Sequence, residues 1–291
     1  MVLAEHDRHH ETTVYKTPTD GKEKDRLNFQ GEGGGGMEHA VASFQGGTWT
    51  KQRSKRRIET KRRWDRFRIY AQGEQEKRLA VFVSGGGSNF RAIHEACVDG
   101  RIRGKVVAVV SNKPGCGGWN YALEMGIPTW CHPTLTSEPR SVNEEELTTM
   151  LKENMLVDYV LLAGYLKKIP VELVHAYRRA MLNIHPALLP SFGGPGYYGI
   201  KVHKAVVNAG CRVSGPTVHF VDEEYDSGKI VGQRTVQVYP TDTPEEVAAR
   251  VLKEEHVLYP HVVAALCDGR VAWNERGIPM ICSETEINKW Q

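Results

Sequence analysis

The sequence has 291 residues. It contains no run near the ~18 consecutive apolar residues that a membrane-spanning helix requires, which excludes an integral helical membrane protein. It has no secretory apolar segment and no C-x-x-C pair. Its six cysteines, Cys97, Cys116, Cys131, Cys211, Cys267 and Cys282, are scattered. Reduced thiols are therefore expected, rather than a disulfide frame or a zinc site. A strong excess of one charge is also missing: the formal net charge is +3, too small for a globally basic nucleic-acid binder. No internal repeat is present. Neither the phosphate motif ending in Gly-Lys-Ser/Thr nor the dinucleotide fingerprint G-x-G-x-x-G occurs after an apolar run.

What is present is an ordinary globular balance, 40% apolar and 25% charged residues, unevenly distributed. Residues 1–78 show almost no apolar periodicity. Their first part, through Gly33–Gly36, is polar and Gly-rich and cannot bury enough surface to offset chain entropy. A basic stretch follows, from Lys51 to Arg68, in which Glu59 and Asp65 are the only acids. It reads as an organelle transit segment, as a nucleic-acid or nuclear-localisation patch, or as a solvated tail. The transit reading is preferred because the run abuts the start of a patterned domain. Low serine content and the acids of residues 1–36 oppose it, and Met37 offers a second start. The expected organisation is a disordered basic leader at 1–78, one domain at 79–282 and a tail at 283–291.

The domain alternates apolar runs with helical patterns. Leu79–Val83, Lys105–Val110, Tyr159–Ala163 and Met181–Ile184 read as buried strands. Helices are expected at about 90–99, where Phe90, Ile93, Ala96 and Cys97 share a face, and at Asn120–Met125, Glu144–Glu153 and Pro170–Tyr177. Such alternation implies an α/β fold: a mostly parallel twisted sheet flanked by helices. Thr217–Val221 and Ile230–Val238 suggest an antiparallel extension. Thr243, as N-cap before Pro244, opens a long C-terminal helix running to about Leu266.

Two segments carry chemistry. Ser84-Gly85-Gly86-Gly87-Ser88-Asn89 joins a strand to a helix. Its glycines let the backbone approach an anion, and the free N–H groups of the helix start favour a phosphate monoester. Asn183-Ile184-His185-Pro186 ends a strand at the edge where open parallel sheets bind ligands. Alternation puts Asn183 and His185 on one face. An amide donor beside an imidazole can hold a carbonyl oxygen and stabilise the oxyanion it becomes. A bland reading, a histidine capping the sheet edge, stands beside it. Thr217–Gly228 packs Asp222, Glu223, Glu224 and Asp226 near His219. One carboxylate brought near His185 would raise its pKa and orient the ring. Spacing marks Asp226, two residues before Gly228, as a candidate.

Taken in order, Ser84–Asn89, Leu162–Ile169, Asn183–Ser191 and His219–Gly228 resemble the phosphoribosylglycinamide formyltransferases, and the likeness spans about residues 79–282, including Val202-His203 and Glu254–Pro260. The resemblance implies formyl transfer from 10-formyltetrahydrofolate to the amine of glycinamide ribonucleotide, with no metal. It implies that Gly87, Ser88 and Asn89 hold the ribonucleotide phosphate, with help from Glu255. Asn183 and His185 flank the formyl group, and Asp226 keeps the histidine protonated. Arg140, Leu166, Lys167, Lys168 and Ile169, with the backbone of Asp222, Glu223, Glu224 and Tyr225, line the folate pocket. Lys167-Lys168 and Gly193–Tyr198 depart from the pattern of many members. The basic leader is similar to that of plastid-directed plant members; a mitochondrial or cytoplasmic site is the alternative. No nucleic-acid or membrane partner is implied, and the oligomeric state stays open. The rival readings are a formyltetrahydrofolate deformylase, whose corresponding segment usually reads His-His in place of His185-Pro186, and a non-catalytic nucleotide-binding module.

Overall fold

The structure is a computed structural model that describes residues 75–282. The leader through residue 74 and the tail at 283–291 lie outside the described residues. Their boundary moves slightly: Lys77 and Arg78, assigned to the leader by composition, are the first residues of β1.

In chain order the elements are β1 (Lys77–Val83), α1 (Ser88–Val98), β2 (Gly104–Ser111), α2 (Gly117–Glu124) and β3 (Thr129–Cys131). Then come α3 (Glu144–Thr149, continued by a π-helical turn Met150–Asn154), β4 (Tyr159–Leu162), α4 (Val171–Ala176), β5 (Met181–His185) and α5 (Ile200–Asn208). The last are β6 (Val213–Ser214), β7 (Thr217–Phe220), β8 (Ile230–Gln233), β9 (Val236–Gln237), α6 (Pro244–Cys267), β10 (Val271–Trp273) and β11 (Pro279–Ile281).

Seven strands form one sheet in the order β3-β2-β1-β4-β5-β7-β8. The pairs from β3 to β5 are parallel, and β5–β7 and β7–β8 are antiparallel. The apolar runs read as parallel strands because both faces are covered. On β1, Leu79, Val81 and Val83 face a core built with Phe90 and Ile93 of α1, Trp119 of α2 and Leu258, Tyr259 and Val262 of α6. Ala80 and Phe82 face the opposite core, with Leu147 of α3 and Leu173 and Val174 of α4. Strand alternation thus divides one continuous apolar run between two cores.

Local signals set the helix starts. Thr243 accepts from the Glu246 N–H while the Glu246 carboxylate accepts from the Thr243 N–H, a capping box ahead of Pro244. Asn143 and Glu146 do the same for α3. No helix among the described residues is long and apolar enough to cross a membrane.

The expected strand Ile230–Val238 is broken. β8 stops at Gln233, and Val236–Gln237 pairs with Val213–Ser214 in a separate ladder. The backbone crosses closely at this point: a Cβ on Gly215 would lie 1.9 Å from the Arg234 carbonyl oxygen, and the Arg234 N–H donates to Pro216 O. β3, α5, β6 and the β10–β11 hairpin have no counterpart in the sequence reading.

β1 sits between β2 and β4, so the chain changes direction across the sheet there. The carboxyl ends of β1, β4 and β5 lie along one edge, the place where an open α/β sheet leaves a crevice.

Candidate active site

A cavity of about 720 Å³ opens along this edge. Ser84, at the end of β1, ties two of its walls together. Its hydroxyl donates to Asn112 Oδ1 and accepts from the Leu166 N–H at 2.9 Å, and its own N–H donates to Gly164 O at 3.1 Å. Behind the loop, Gly87 is left-handed (φ 74°), and a Cβ there would lie 2.5 Å from Gly118 Cα. The starts of α1 and α2 therefore touch through glycine backbone, which no other residue permits.

The loop meets the cavity with Ser84, Gly85 and Asn89; Gly87 and Ser88 are not among the lining residues. The Asn89 side chain, expected on a phosphate, donates to Glu255 Oε2 at 2.6 Å, and its Oδ1 is buried without a partner. Glu255 is itself buried. Burial pushes its carboxyl above the ordinary range, and the Asn89 bond pulls it partly back.

On β5, Asn183 and His185 share a face. Pairing with β7 sets Asn183 opposite His219 and His185 opposite Thr217. The turn after β7 delivers Asp226. Gly228 makes that turn possible, since a Cβ there would meet Phe220 O at 1.7 Å. Asp226 has φ 55°, the left-handed region that aspartate tolerates better than most residues. Its Oδ2 lies 3.4 Å from His185 Nδ1 and accepts the Gly194 N–H at 2.9 Å. Its Oδ1 lies 3.6 Å from His219 Nε2 and 3.4 Å from Asn183 Nδ2. Burial pushes the Asp226 carboxyl up. The two neighbouring imidazoles, His219 first, and the Gly194 N–H outweigh it and hold the group below its ordinary value.

Asp226 acts on His185 in the expected direction, raising its pKa, and burial opposes it. Burial is the largest single influence, and with the His219 charge it leaves the His185 pKa below its ordinary value although Asp226 and the Phe192 carbonyl raise it. That carbonyl is 2.8 Å from Nε2 and can only accept, so Nε2 carries a hydrogen.

Leu166, Lys167, Lys168, Ile169 and Asp222, Glu223, Glu224 and Tyr225 all line the cavity. Leu166 is 55% exposed, and together with Leu162, Ile169 and Val221 it gives an apolar wall suited to a flat heterocycle. Arg140 is the exception. Its Nη1 donates to Thr129 Oγ1 at 2.6 Å, its guanidinium lies 6.0 Å from the Trp119 ring, and it does not line the cavity. The loose sequence match around it had no strand register to anchor it.

Two lining histidines were not assigned a role from sequence. His219 is 2% exposed; its signal was the β5–β7 register, which composition does not reveal. His203, on α5, is 5% exposed with Nδ1 unpartnered, and burial, then the charge of His185, pulls its pKa down to about 4.

Fold and site together define a group transferase: an open α/β sheet with an amide, an imidazole and a carboxylate converging over a glycine-rich strand–helix turn. The profile of the formyl transferase family matches residues 77–263. Phosphoribosylglycinamide formyltransferase, chloroplastic, of Arabidopsis thaliana is 58% identical over 208 residues, covering 71% of each chain. The Escherichia coli (strain K12) phosphoribosylglycinamide formyltransferase is 35% identical over 197 residues, 68% of this chain and 90% of that one. The solved phosphoribosylglycinamide formyltransferase of Anaplasma phagocytophilum superposes with a TM-score of 0.63 at 32% identity, covering 73% of this chain and 96% of that one. The chain belongs to the formyl transferase family and, within it, to the phosphoribosylglycinamide formyltransferases.

Proposed function

We propose that Asn183, His185 and Asp226 perform formyl transfer from 10-formyltetrahydrofolate, the co-substrate, to the primary amine of glycinamide ribonucleotide. The observation that carries the reading is the convergence of these three side chains on one cavity edge, with Asp226 Oδ2 3.4 Å from the His185 ring. The folate supplies the activated one-carbon unit. Leu166, Ile169 and the Asp222–Tyr225 turn would hold it, with Lys167 and Lys168 near its anionic end. The loop at Ser84–Asn89 and Glu255 would hold the ribonucleotide. The unpartnered Asn89 Oδ1 and His203 Nδ1 fit a ligand rich in hydrogen-bonding groups.

As the acceptor amine attacks the formyl carbon, negative charge develops on the formyl oxygen. Asn183 would donate to it once its amide N–H groups turn from His219 and Asp226 toward the cavity, and His185 would do so in its charged form; one such donor lowers the barrier by about 3–4 kcal/mol. Holding both reactants at one edge supplies much of the rest. The C–N bond to the folate then breaks, and the proton leaving the amine replaces the formyl group on that nitrogen, so no external acid is consumed.

The test mixes the full chain with 10-formyltetrahydrofolate, with and without glycinamide ribonucleotide, and follows folate release. Release only with the ribonucleotide supports the transferase. Equal release without it identifies a hydrolase, and no release a binding module.

The finer assignments of place follow. The chloroplastic plant relative supports a plastid, with the basic leader serving import and no nucleic-acid partner. The enzymatic domain is the segment 79–282, extended at its start to Lys77. Reporter fusions of residues 1–78 and 37–78 test the location: plastid signal supports it, and diffuse cytosolic signal from both ends it.

A further inference from the structure

His219 is buried at 2% exposure and stands opposite Asn183 across the β5–β7 ladder. Its Nδ1 lies 2.9 Å from the Phe220 carbonyl oxygen. A carbonyl only accepts, so Nδ1 carries a hydrogen. The other ring nitrogen, Nε2, lies 3.1 Å from Asn183 Nδ2. The same amide nitrogen is 3.4 Å from Asp226 Oδ1. A carboxamide nitrogen has only two hydrogens. Here one is directed at His219 and the other at Asp226, so only the amide oxygen is left for the cavity. An amide oxygen repels a developing oxyanion.

For Asn183 to donate to a formyl oxygen, the carboxamide must make a half-turn, which places its oxygen against His219 Nε2. Two lone pairs cannot face each other there, so Nε2 must then carry a hydrogen. With Nδ1 already protonated, the ring is an imidazolium. The turned oxygen also comes to face Asp226 Oδ1, now 3.4 Å from the amide nitrogen, so that carboxylate must shift from the amide toward the Nε2 hydrogen. The two arrangements thus differ by one half-turn, one proton and this shift of Asp226. A charged ring at 2% exposure needs a counter-charge. Asp226 Oδ1, 3.6 Å from Nε2, is in place to supply it. The groups facing this ring are Asn183 from β5, Asp226 from the β7–β8 turn and, beyond that carboxylate, His185 from β5. His185 is the other ring that could take the proton beside Asp226, and its burial disfavours that.

We infer that His219 is a positioning residue for Asn183: protonated on both ring nitrogens, it binds the amide oxygen and turns the amide N–H groups toward the formyl oxygen. The inference rests on the formyl-transfer reading and adds a residue to it. His219 touches neither reacting atom; it decides which end of Asn183 does.

The test uses the full chain with labelled histidine rings. Nitrogen NMR is recorded with glycinamide ribonucleotide plus a folate analogue whose carbonyl cannot be transferred. The expected result is a His219 ring protonated at Nδ1 and Nε2 in that complex; an unprotonated Nε2 overturns the inference. Steady-state kinetics of H219L and H219Q give a second arm. H219L is expected to lower kcat by roughly 10- to 100-fold while both KM values stay within about twofold. H219Q, whose amide N–H can still reach the Asn183 oxygen, should recover part of the loss. Unchanged kcat in H219L, or no difference between the two folded variants, overturns the inference. If the variants fail to fold, the NMR arm on the unmodified chain decides. Wild-type turnover in the same assay separates the outcomes: if the wild type does not formylate the ribonucleotide, the functional reading fails, whereas a turning-over wild type with an unprotonated His219 fails only this inference.

Discussion

Asp226 Oδ2 lies 3.4 Å from His185 Nδ1 within a pocket where the two side chains are 11% and 4% exposed. One carboxylate oxygen here meets the His185 ring and the Gly194 N–H, while the other faces His219 and Asn183. Asp226→Asn keeps the shape and removes the charge. Turnover should fall about 10²- to 10³-fold, since both imidazoles lose their partner, while KM for the ribonucleotide stays within about threefold. Steady-state kinetics check this; a large KM rise with unchanged kcat would move Asp226 from the reacting centre to the binding wall.

The glycine turn separates stability from binding. Gly87 has φ 74°, and a Cβ on it would lie 2.5 Å from Gly118 Cα, whereas a Cβ on Gly85, which lines the cavity, meets nothing within 4 Å. Gly87→Ala should therefore lower stability by roughly 1–3 kcal/mol, through left-handed strain and displacement of the α2 start. Gly85→Ala should leave stability within about 0.5 kcal/mol of wild type and raise KM for the ribonucleotide, because a methyl group at this cavity-lining position keeps an anion off the backbone N–H groups. Urea unfolding and KM measured on both variants give the comparison.

The fold was legible wherever one signal governed one element. β1, β2, β4 and β5 are continuous apolar runs, and Thr243-Pro244-Glu245-Glu246 announces α6 through capping chemistry alone. β8 was overextended because Val236 and Val238 continue the apolar pattern, yet their partner is set by the Gly215–Arg234 crossing, a tertiary fact. The site was legible to the same degree. Asn183 and His185 share a strand, so alternation joins them. Asp226 could be marked by its spacing from Gly228, but its distance to His185 depends on how two strands pair. His219 was passed over for that reason. Asp226 raises the His185 pKa as a neighbouring carboxylate should, but the burial that opposes it is less readily seen in a sequence.

Arg140 and Lys167 give a direct check on the proposed folate wall. Arg140 binds Thr129 and does not line the cavity; Lys167 is exposed and does. Arg140→Ala should leave the folate KM within about twofold of wild type. Lys167→Ala should raise it by about three- to tenfold, with the difference shrinking at high salt, as expected for a solvent-exposed charge facing an anionic tail. The reverse result would return Arg140 to the binding wall.

His203 gives the molecule a built-in acid sensitivity. Burial, and then the charge of His185, lowers its pKa from 6.5 to about 4. Below pH 6.5 the unfolded chain binds a proton that the folded chain refuses, so the unfolded state binds more protons between the two values and stability rises with pH across that window. The contribution is fully present above pH 6.5 and is lost progressively as pH falls toward about 4; a shift of this size corresponds to roughly 3 kcal/mol. Asp226 adds a loss of the same sign further down, as pH falls through its lowered value. His203→Gln replaces the ring with a group that does not titrate. Its stability at pH 7 should be lower, because packing around Val202 and Val206 is disturbed. Its slope of unfolding free energy against pH between 4 and 6.5 should nevertheless be flatter than that of the wild type. Urea midpoints at several pH values measure that slope directly, and an unaltered slope in H203Q would show that His203 is not the group whose proton is excluded.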